Sequence, residues 1–470
     1  MKIKKSYYLP VLLFSIFIFW LVLTWGNYFH WDEWYFFSAF NQAPQNFLLH
    51  SYGEHFIPFN LLNHYILFKL FGLNNFPFQL SVILSHLINI YLLYKIVSLE
   101  TKNVRLALFS ALIFGISNVY IEDVIWSQGI SSVGSALFVS FGYFSYLKYS
   151  QTKKKVFLLY SCLSLIISPL FNDFSILSPL AFLFIAAISR NLGKYKNLAV
   201  LAYALTSLLN LLILFYFSAQ NIAKALPSFS IKNALQMIEF SYVGVIRGTV
   251  LRFVYPGLHL VKGAQELKII FFVALSVVLF TFSAFVLYKW LKNSKERNEK
   301  IIKVLSLISL VLIGYIATSI GRSSYGLAQA GISRYAYQPF FFLVILGAFI
   351  IKDFRNKTIF IAALSIIWIL NIYANIVFAF GFWHKMVSRD RGFAEDISYL
   401  LANNQKVYNF PTKGFFEVLK ISDYWFLVPK DKKIDFVSPA KYSDSCNYCS
   451  DLKTKTIYKK FLNEYQKKFD

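Results

Sequence analysis

Apolar residues fall into long runs broken by short polar connections. Because a helix rises about 1.5 Å per residue, about 20 mostly apolar residues cross a hydrocarbon core about 30 Å thick. Runs of near that length lie at 7–25, 77–97, 105–119, 130–147, 156–171, 174–189, 197–217, 268–289, 302–320, 336–351 and 358–380. They predict an all-α polytopic membrane protein with about eleven transmembrane helices. The first run follows the basic stretch Met1–Lys5 and lacks a small-residue cleavage site, so it reads as a retained signal anchor.

The connections alternate in sign. Lys2, Lys4 and Lys5; Lys95, Lys102 and Arg105; Lys148 with Lys153, Lys154 and Lys155; Arg190, Lys194 and Lys196; the run from Lys289 to Lys303; and Lys352, Arg355 and Lys357 all fall on one side. The short connections on the other side carry Glu122 with Asp123 and Asn172 with Asp173, with no Lys or Arg. Cytoplasmic loops accumulate basic residues, so the N-terminus is expected in the cytoplasm and the acidic connections outside. An odd number of spans puts the tail outside as well. The expected organisation is therefore a membrane module over 1–380 and a small extracytoplasmic α+β domain over 381–470, multi-pass in the cytoplasmic membrane.

Three outer segments are longer. The first holds Trp31-Asp32-Glu33-Trp34, flanked by His30, Tyr28 and Tyr35, then Glu54 and His55, and an apolar piece from Leu61 to Phe71 ended by Gly72. That piece is too short to cross and reads as a helix lying in the interface. The second, from Ser218 to Lys268, carries Pro227, Pro256, Gly257 and the bases Lys232, Arg247, Arg252 and Lys262; its amphipathic stretch near 231–254 would suit a lid or a docking surface. The third, from Gly321 to Tyr335, places Arg322 and Arg334 among glycines that permit tight turns.

Composition supports the membrane assignment: 57% hydrophobic, 19% aromatic, 15% charged, with a mean hydropathy of +0.52. A net charge of +24 would suggest nucleic acid in a soluble protein, but here the loops account for it, and nucleic acid is discarded as a partner. Lys430 to Lys433 read as a solvated face or a contact for anionic headgroups. Cys162 lies in an apolar run; Cys446 and Cys449 form a lone C-x-x-C, a poor zinc site and a candidate local disulfide.

The outer boundary collects Asp32, Glu33, Glu54, His55, Glu122, Asp123, Asn172, Asp173, Arg322 and Arg334. Acids from three outer connections and arginines from a fourth suit a site that holds an anion and removes a proton. Each residue also has a plainer reading. Glu122 and Asp123 can mark a helix end, Asp173 can cap the helix near Phe174, His55 can be a satisfied interfacial histidine, and the arginines can snorkel or pair with an acid. Trp31, Trp34, Tyr35 and Trp126 suit either an interfacial belt or a sugar-stacking surface.

These motifs resemble the integral-membrane glycosyltransferases of the GT-C class, which include protein O-mannosyltransferases and lipid A aminoarabinose transferases. The resemblance lies in Asp32-Glu33 in the first outer loop, His55-x-x-Pro58 before an interfacial helix, Ser85-His86-Leu87-Ile88-Asn89 in the second span, the loop from Glu122 to Trp126, and Arg334-Tyr335 before a late span; it covers roughly 1–380. One departure is Asn172-Asp173, where many relatives place a Lys-Glu pair. The resemblance implies transfer of a sugar from a polyprenyl-phosphate donor to an acceptor glycan, lipid or protein outside the cytoplasmic membrane. Asp32 would be the base, with Glu33 its rival. Arg334 and Arg322 would hold the phosphate, Glu54 and His55 would orient the base or sugar, and Glu122 and Asp123 would bind sugar hydroxyls or a divalent cation such as Mg2+, Mn2+ or Zn2+. No cofactor is fixed by spacing. A flippase or transporter of lipid-linked glycans and a non-catalytic membrane scaffold are the alternatives, the former disfavoured by how few charges lie near mid-membrane.

Overall fold

In the computed structural model, the described residues are 7–30, 32–42, 48, 55–225, 231–256, 297–323, 326–353, 357–388, 390–391, 406–408 and 435–437. Trp31, Glu54, Lys262, the 268–289 run, Cys446 with Cys449 and nearly all of the tail beyond 391 lie outside them. The helices are α1 (Tyr8–Thr24), α2 (Asp32–Gln42), α3 (Pro58–Phe71), α4 (Asn75–Thr101), α5 (Val104–Gly115), α6 (Ile121–Ile125), α7 (Ile130–Thr152), α8 (Lys155–Phe171), α9 (Ser178–Ile188), α10 (Lys196–Ala225), α11 (Ile231–Val243), α12 (Arg297–Arg322), α13 (Tyr337–Ile351) and α14 (Lys357–Ile376). Two short strands, β1 (Lys406–Tyr408) and β2 (Asp435–Val437), pair in parallel with Lys406 opposite Asp435.

The expected runs coincide with helices wherever the residues are described. Among those residues, six helical segments are long and apolar enough to cross a membrane: Asn75–Thr101, Val104–Ile125, Ser127–Thr152, Gly193–Phe217, Arg297–Arg322 and Ile361–Ser388. Tyr8–Thr24, Lys155–Phe171, Asp173–Ile188 and Tyr337–Ile351 are apolar but shorter. The piece expected to end at Gly72 is α3, and Gly72 stops it with φ +58°, a conformation that costs glycine little.

The chain divides into two compact units. The first comprises Met1–Trp25, His50–Asn60 and Gln79–Ala379. Its helices approach closely where residues are small. On α7, Gly134 faces the Phe171 ring so tightly that a Cβ would lie 2.7 Å from it, and the Gly142 carbonyl accepts from Ser161 at 2.9 Å. Ser135 and Ser168 add a hydroxyl contact at 3.2 Å across the same helix pair. Lipid supplies no hydrophobic drive between helices, so small residues and short polar bonds do the joining.

Polar groups inside this unit bond to one another. His86 donates from Nε2 to the Gly115 carbonyl at 3.1 Å, so its Nδ1 accepts from the Tyr337 hydroxyl at 2.6 Å. Asn89 donates to the Val133 carbonyl at 3.0 Å and accepts from Ser140 at 3.0 Å. Asn371 accepts from the Asn118 amide at 2.8 Å and donates to the Phe253 carbonyl at 2.9 Å. Asn375 accepts from the Asn118 side chain at 2.8 Å and donates to the Ile116 carbonyl at 2.9 Å. The surface of α10 is exposed apolar side chain at Leu201, Leu205, Leu208, Leu212 and Phe215, one stripe at helical spacing suited to lipid.

The second unit comprises Gly26–Leu49, Leu61–Phe78 and Phe380–Asp470. Its core is aromatic: Phe37 stacks on Phe68 at 4.7 Å, and Phe29 meets Phe37 and Phe78 edge-on at 4.7 and 5.1 Å.

Candidate active site

In the first unit, α12 ends on Arg322, where a cation suits the negative end of the helix dipole. Its Nη2 lies 2.7 Å from His55 Nε2. A guanidinium only donates, so Nε2 must accept and the His55 proton must sit on Nδ1. That nitrogen donates to Asp173 at 2.9–3.0 Å. Asp173, His55 and Arg322 thus form a directed chain with a neutral imidazole at its centre, and it holds Arg322 against thermal wandering. Asp173 is available for this because Asn172 does the capping, its side-chain oxygen accepting from the Phe174 amide at 3.1 Å.

The chain continues through rings. Phe174 meets His55 edge-on at 5.7 Å and Tyr335 at 5.3 Å, and the Arg334 guanidinium lies 5.6 Å from the Tyr335 ring centre. Arg334, Tyr335, Phe174, Asn172, Ser132 and Thr318 border a small open cleft. Ser132 donates to the Arg334 carbonyl at 3.2 Å, fixing the short helical turn Ser333–Tyr335 that carries the arginine.

Glu122 and Asp123 occupy the first turn of α6, where the helix dipole favours anions. Asp123 is 1% exposed, and neither of its oxygens has a hydrogen-bond partner among the described residues. Arg334 and Arg252 supply opposite charge within electrostatic reach. The turn after α6 folds back hard: a Cβ on Gly129 would fall 1.9 Å from the Asp123 carbonyl oxygen. Only glycine leaves room for that return.

Arg252 was not singled out by the sequence beyond its place in the amphipathic second segment. There α11 runs on through a π-helical stretch, Gly244–Leu251, to Val254. Gly244 and Gly248 sit against Tyr315, and Thr249 shares a 2.7 Å hydroxyl contact with it. This close approach buries Arg252, which donates to the Gly331 carbonyl at 3.1 Å. Burial pulls its pKa down from the usual arginine value, and Glu122, Tyr315 and Asp123 oppose that. The usable signal was a pair of glycines four apart just ahead of an arginine.

Asp32 and Glu33 belong to the second unit, in the first turn of α2. Glu33 is fully buried and accepts the His30 backbone amide, just ahead of the helix, at 2.8 Å. Asp32 is half-buried. His30 Nδ1 also pairs with the Asp390 carboxylate, and its ring meets Trp383 edge-on at 5.7 Å. Among the described residues no three His, Cys, Asp or Glu side chains lie close enough to share a metal ion.

No protein-family model matches this chain, and no curated protein matches it significantly. Among solved structures, ArnT from Cupriavidus metallidurans bound to undecaprenyl phosphate superposes with a TM-score of 0.54, at 13% identity, over 93% of this chain and 87% of that one. The oligosaccharyltransferase AglB from Archaeoglobus fulgidus, in complex with an inhibitory peptide and a dolichol-phosphate, gives a TM-score of 0.46 at 13% identity over 85% and 58%. At such identity the likeness to ArnT concerns the fold.

Proposed function

The chain has the fold of a GT-C class membrane glycosyltransferase, and from that premise we propose that it moves a sugar from a polyprenyl-phosphate donor to an acceptor glycan, lipid or protein outside the cytoplasmic membrane. The observation that carries this reading is the arginine set of the first unit. Arg334 borders the cleft over Tyr335, Arg322 is braced by His55 and Asp173, and Arg252 is buried nearby in charge terms through Asp123. A phosphate monoester or diester leaving a sugar needs such donors, and ArnT was captured with a polyprenyl phosphate.

In the proposed step a carboxylate takes the acceptor hydroxyl proton, the acceptor oxygen bonds to the anomeric carbon, and the bond from that carbon to the phosphate oxygen breaks. The lipid phosphate leaves with the electron pair, so the configuration inverts. Asp32 is the base. Glu33, in contrast, already spends an oxygen on the His30 amide inside the protein, which supports the choice. Asp123, buried with no hydrogen-bond partner among the described residues, suits sugar hydroxyls together with its neighbour Glu122; Tyr335 borders the cleft beside Arg334, and Glu54 is a further proposed binding residue. The proposed topology has about eleven spans, the N-terminus in the cytoplasm, and residues 381–470 forming a small external domain.

The test is release of polyprenyl phosphate from a panel of undecaprenyl-phosphate sugars by the purified protein in liposomes supplied with glycan, lipid and peptide hydroxyl acceptors. Arg334→Ala should raise donor KM about tenfold or more, the value of one charge-assisted phosphate contact. Unchanged donor KM removes Arg334 from the phosphate site, and no release from any donor defeats the transferase reading.

A further inference from the structure

A second polar cleft opens between α7, α9 and α12, lined by Tyr143, Arg190, Asn191, Glu299, Lys303 and three serines. It lies far from the arginine set. Ser132, beside Arg334, and Ser150, in this cleft, are 18 residues apart on one helix, or about 27 Å at 1.5 Å per residue. Nothing in the proposed sugar transfer uses it.

Two observations indicate that the cleft takes a ligand. The Tyr143 hydroxyl is buried with no hydrogen-bond partner among the described residues, although its residue is only 1% exposed and an unmade buried bond is costly. Arg190 is exposed at the rim and makes no ion pair among the described residues, whereas Lys303 is committed to Glu100. The cleft therefore offers one uncommitted cation, one orphaned hydroxyl, the Asn191 amide, and a lone acid, Glu299, which also has no ion pair among the described residues.

We propose that this cleft binds a phosphorylated polyol headgroup of an anionic lipid, of the phosphatidylglycerol kind. Arg190 takes the phosphate, and Tyr143, Asn191 and Glu299 take the headgroup hydroxyls. Glu299 repels a second phosphate or a carboxylate, so a single phosphate bearing hydroxyls fits where a polyanion does not. The flanking connections carry Lys148, Lys153, Lys154, Lys155, Lys194 and Lys196, and a basic helix end draws anionic headgroups.

The full-length protein in neutral detergent is titrated calorimetrically with dioctanoyl phosphatidylglycerol, dioctanoyl phosphatidylcholine and glycerol 3-phosphate. Phosphatidylglycerol should bind saturably and about tenfold more tightly than phosphatidylcholine, Arg190→Ala should weaken it about tenfold, and Tyr143→Phe, which keeps the ring packing, about threefold. Equal affinity for glycerol 3-phosphate supports the same chemistry supplied by a soluble phosphorylated polyol. Equal affinity for the two lipids, or affinity unchanged in both variants, overturns the proposal.

Discussion

Two pairs of adjacent acids, Asp32-Glu33 and Glu122-Asp123, open short helices and look alike in sequence, yet the protein treats them oppositely. In the first pair the second acid is buried and satisfied by a backbone amide, leaving the first half-buried. In the second pair the second acid is again buried, but its oxygens have no hydrogen-bond partner among the described residues, and Ser132, Arg334 and Arg252 lie within electrostatic reach. Burial alone thus does not mark a structural acid. What a buried carboxylate accepts is the better guide: Glu33 holds an amide of its own chain, while Asp123 lies among Ser132, Glu122 and two arginines with its oxygens hydrogen-bonded to none of them.

The largest expected effect comes from the first pair. Asp32→Asn should lower sugar transfer about a thousandfold, the usual worth of a general base, while Glu33→Gln, which can still accept the His30 amide, should stay within about tenfold of wild type. The reverse ranking, read as kcat in liposomes with insertion checked separately, would break the contrast. Next, Asp123→Ala should raise the donor KM about fiftyfold, because the proposed sugar hydroxyls lose an acceptor. Liposome kinetics measure this, and an unchanged KM would mean that Asp123 is a structural acid like Glu33. The smallest is Gly129→Ala, at about 2 kcal/mol from forced movement of the turn against Asp123; unchanged stability with altered acceptor KM would sharpen the case that this turn sets the position of Asp123.

Helix placement was legible because lipid enforces it: long apolar runs have few other uses, and those at 77–97, 130–147 and 302–320 became α4, α7 and α12. Chemistry was legible only in part. Asn172 and Asp173 are both competent caps, and the choice between them depends on His55, more than a hundred residues away in sequence. Arg252 looked like one of several scattered bases because its burial depends on glycines meeting a tyrosine of another helix. His86 and Asn89, which carry part of the family resemblance, tie helices together by hydrogen bonds. No periodicity reveals such pairings, which arise only when distant segments meet.

The asparagines of α14 bear on how the protein is made. Asn371 donates within its own helix to the Ile367 carbonyl, but it and Asn375 find their other partners on residues 116–118 and on Phe253, all synthesised well before them. A helix delivered alone to lipid would keep the bond from Asn371 to Ile367 but leave the Asn375 amide and the Asn371 side-chain oxygen without their partners. α14 is thus placed as a clasp across segments that precede it in the chain, tying residues 116–118 and Phe253 to one helix face. Chains truncated before Asn371 would leave the Asn118 amide without its acceptor, giving membrane quality control a specific flaw to detect.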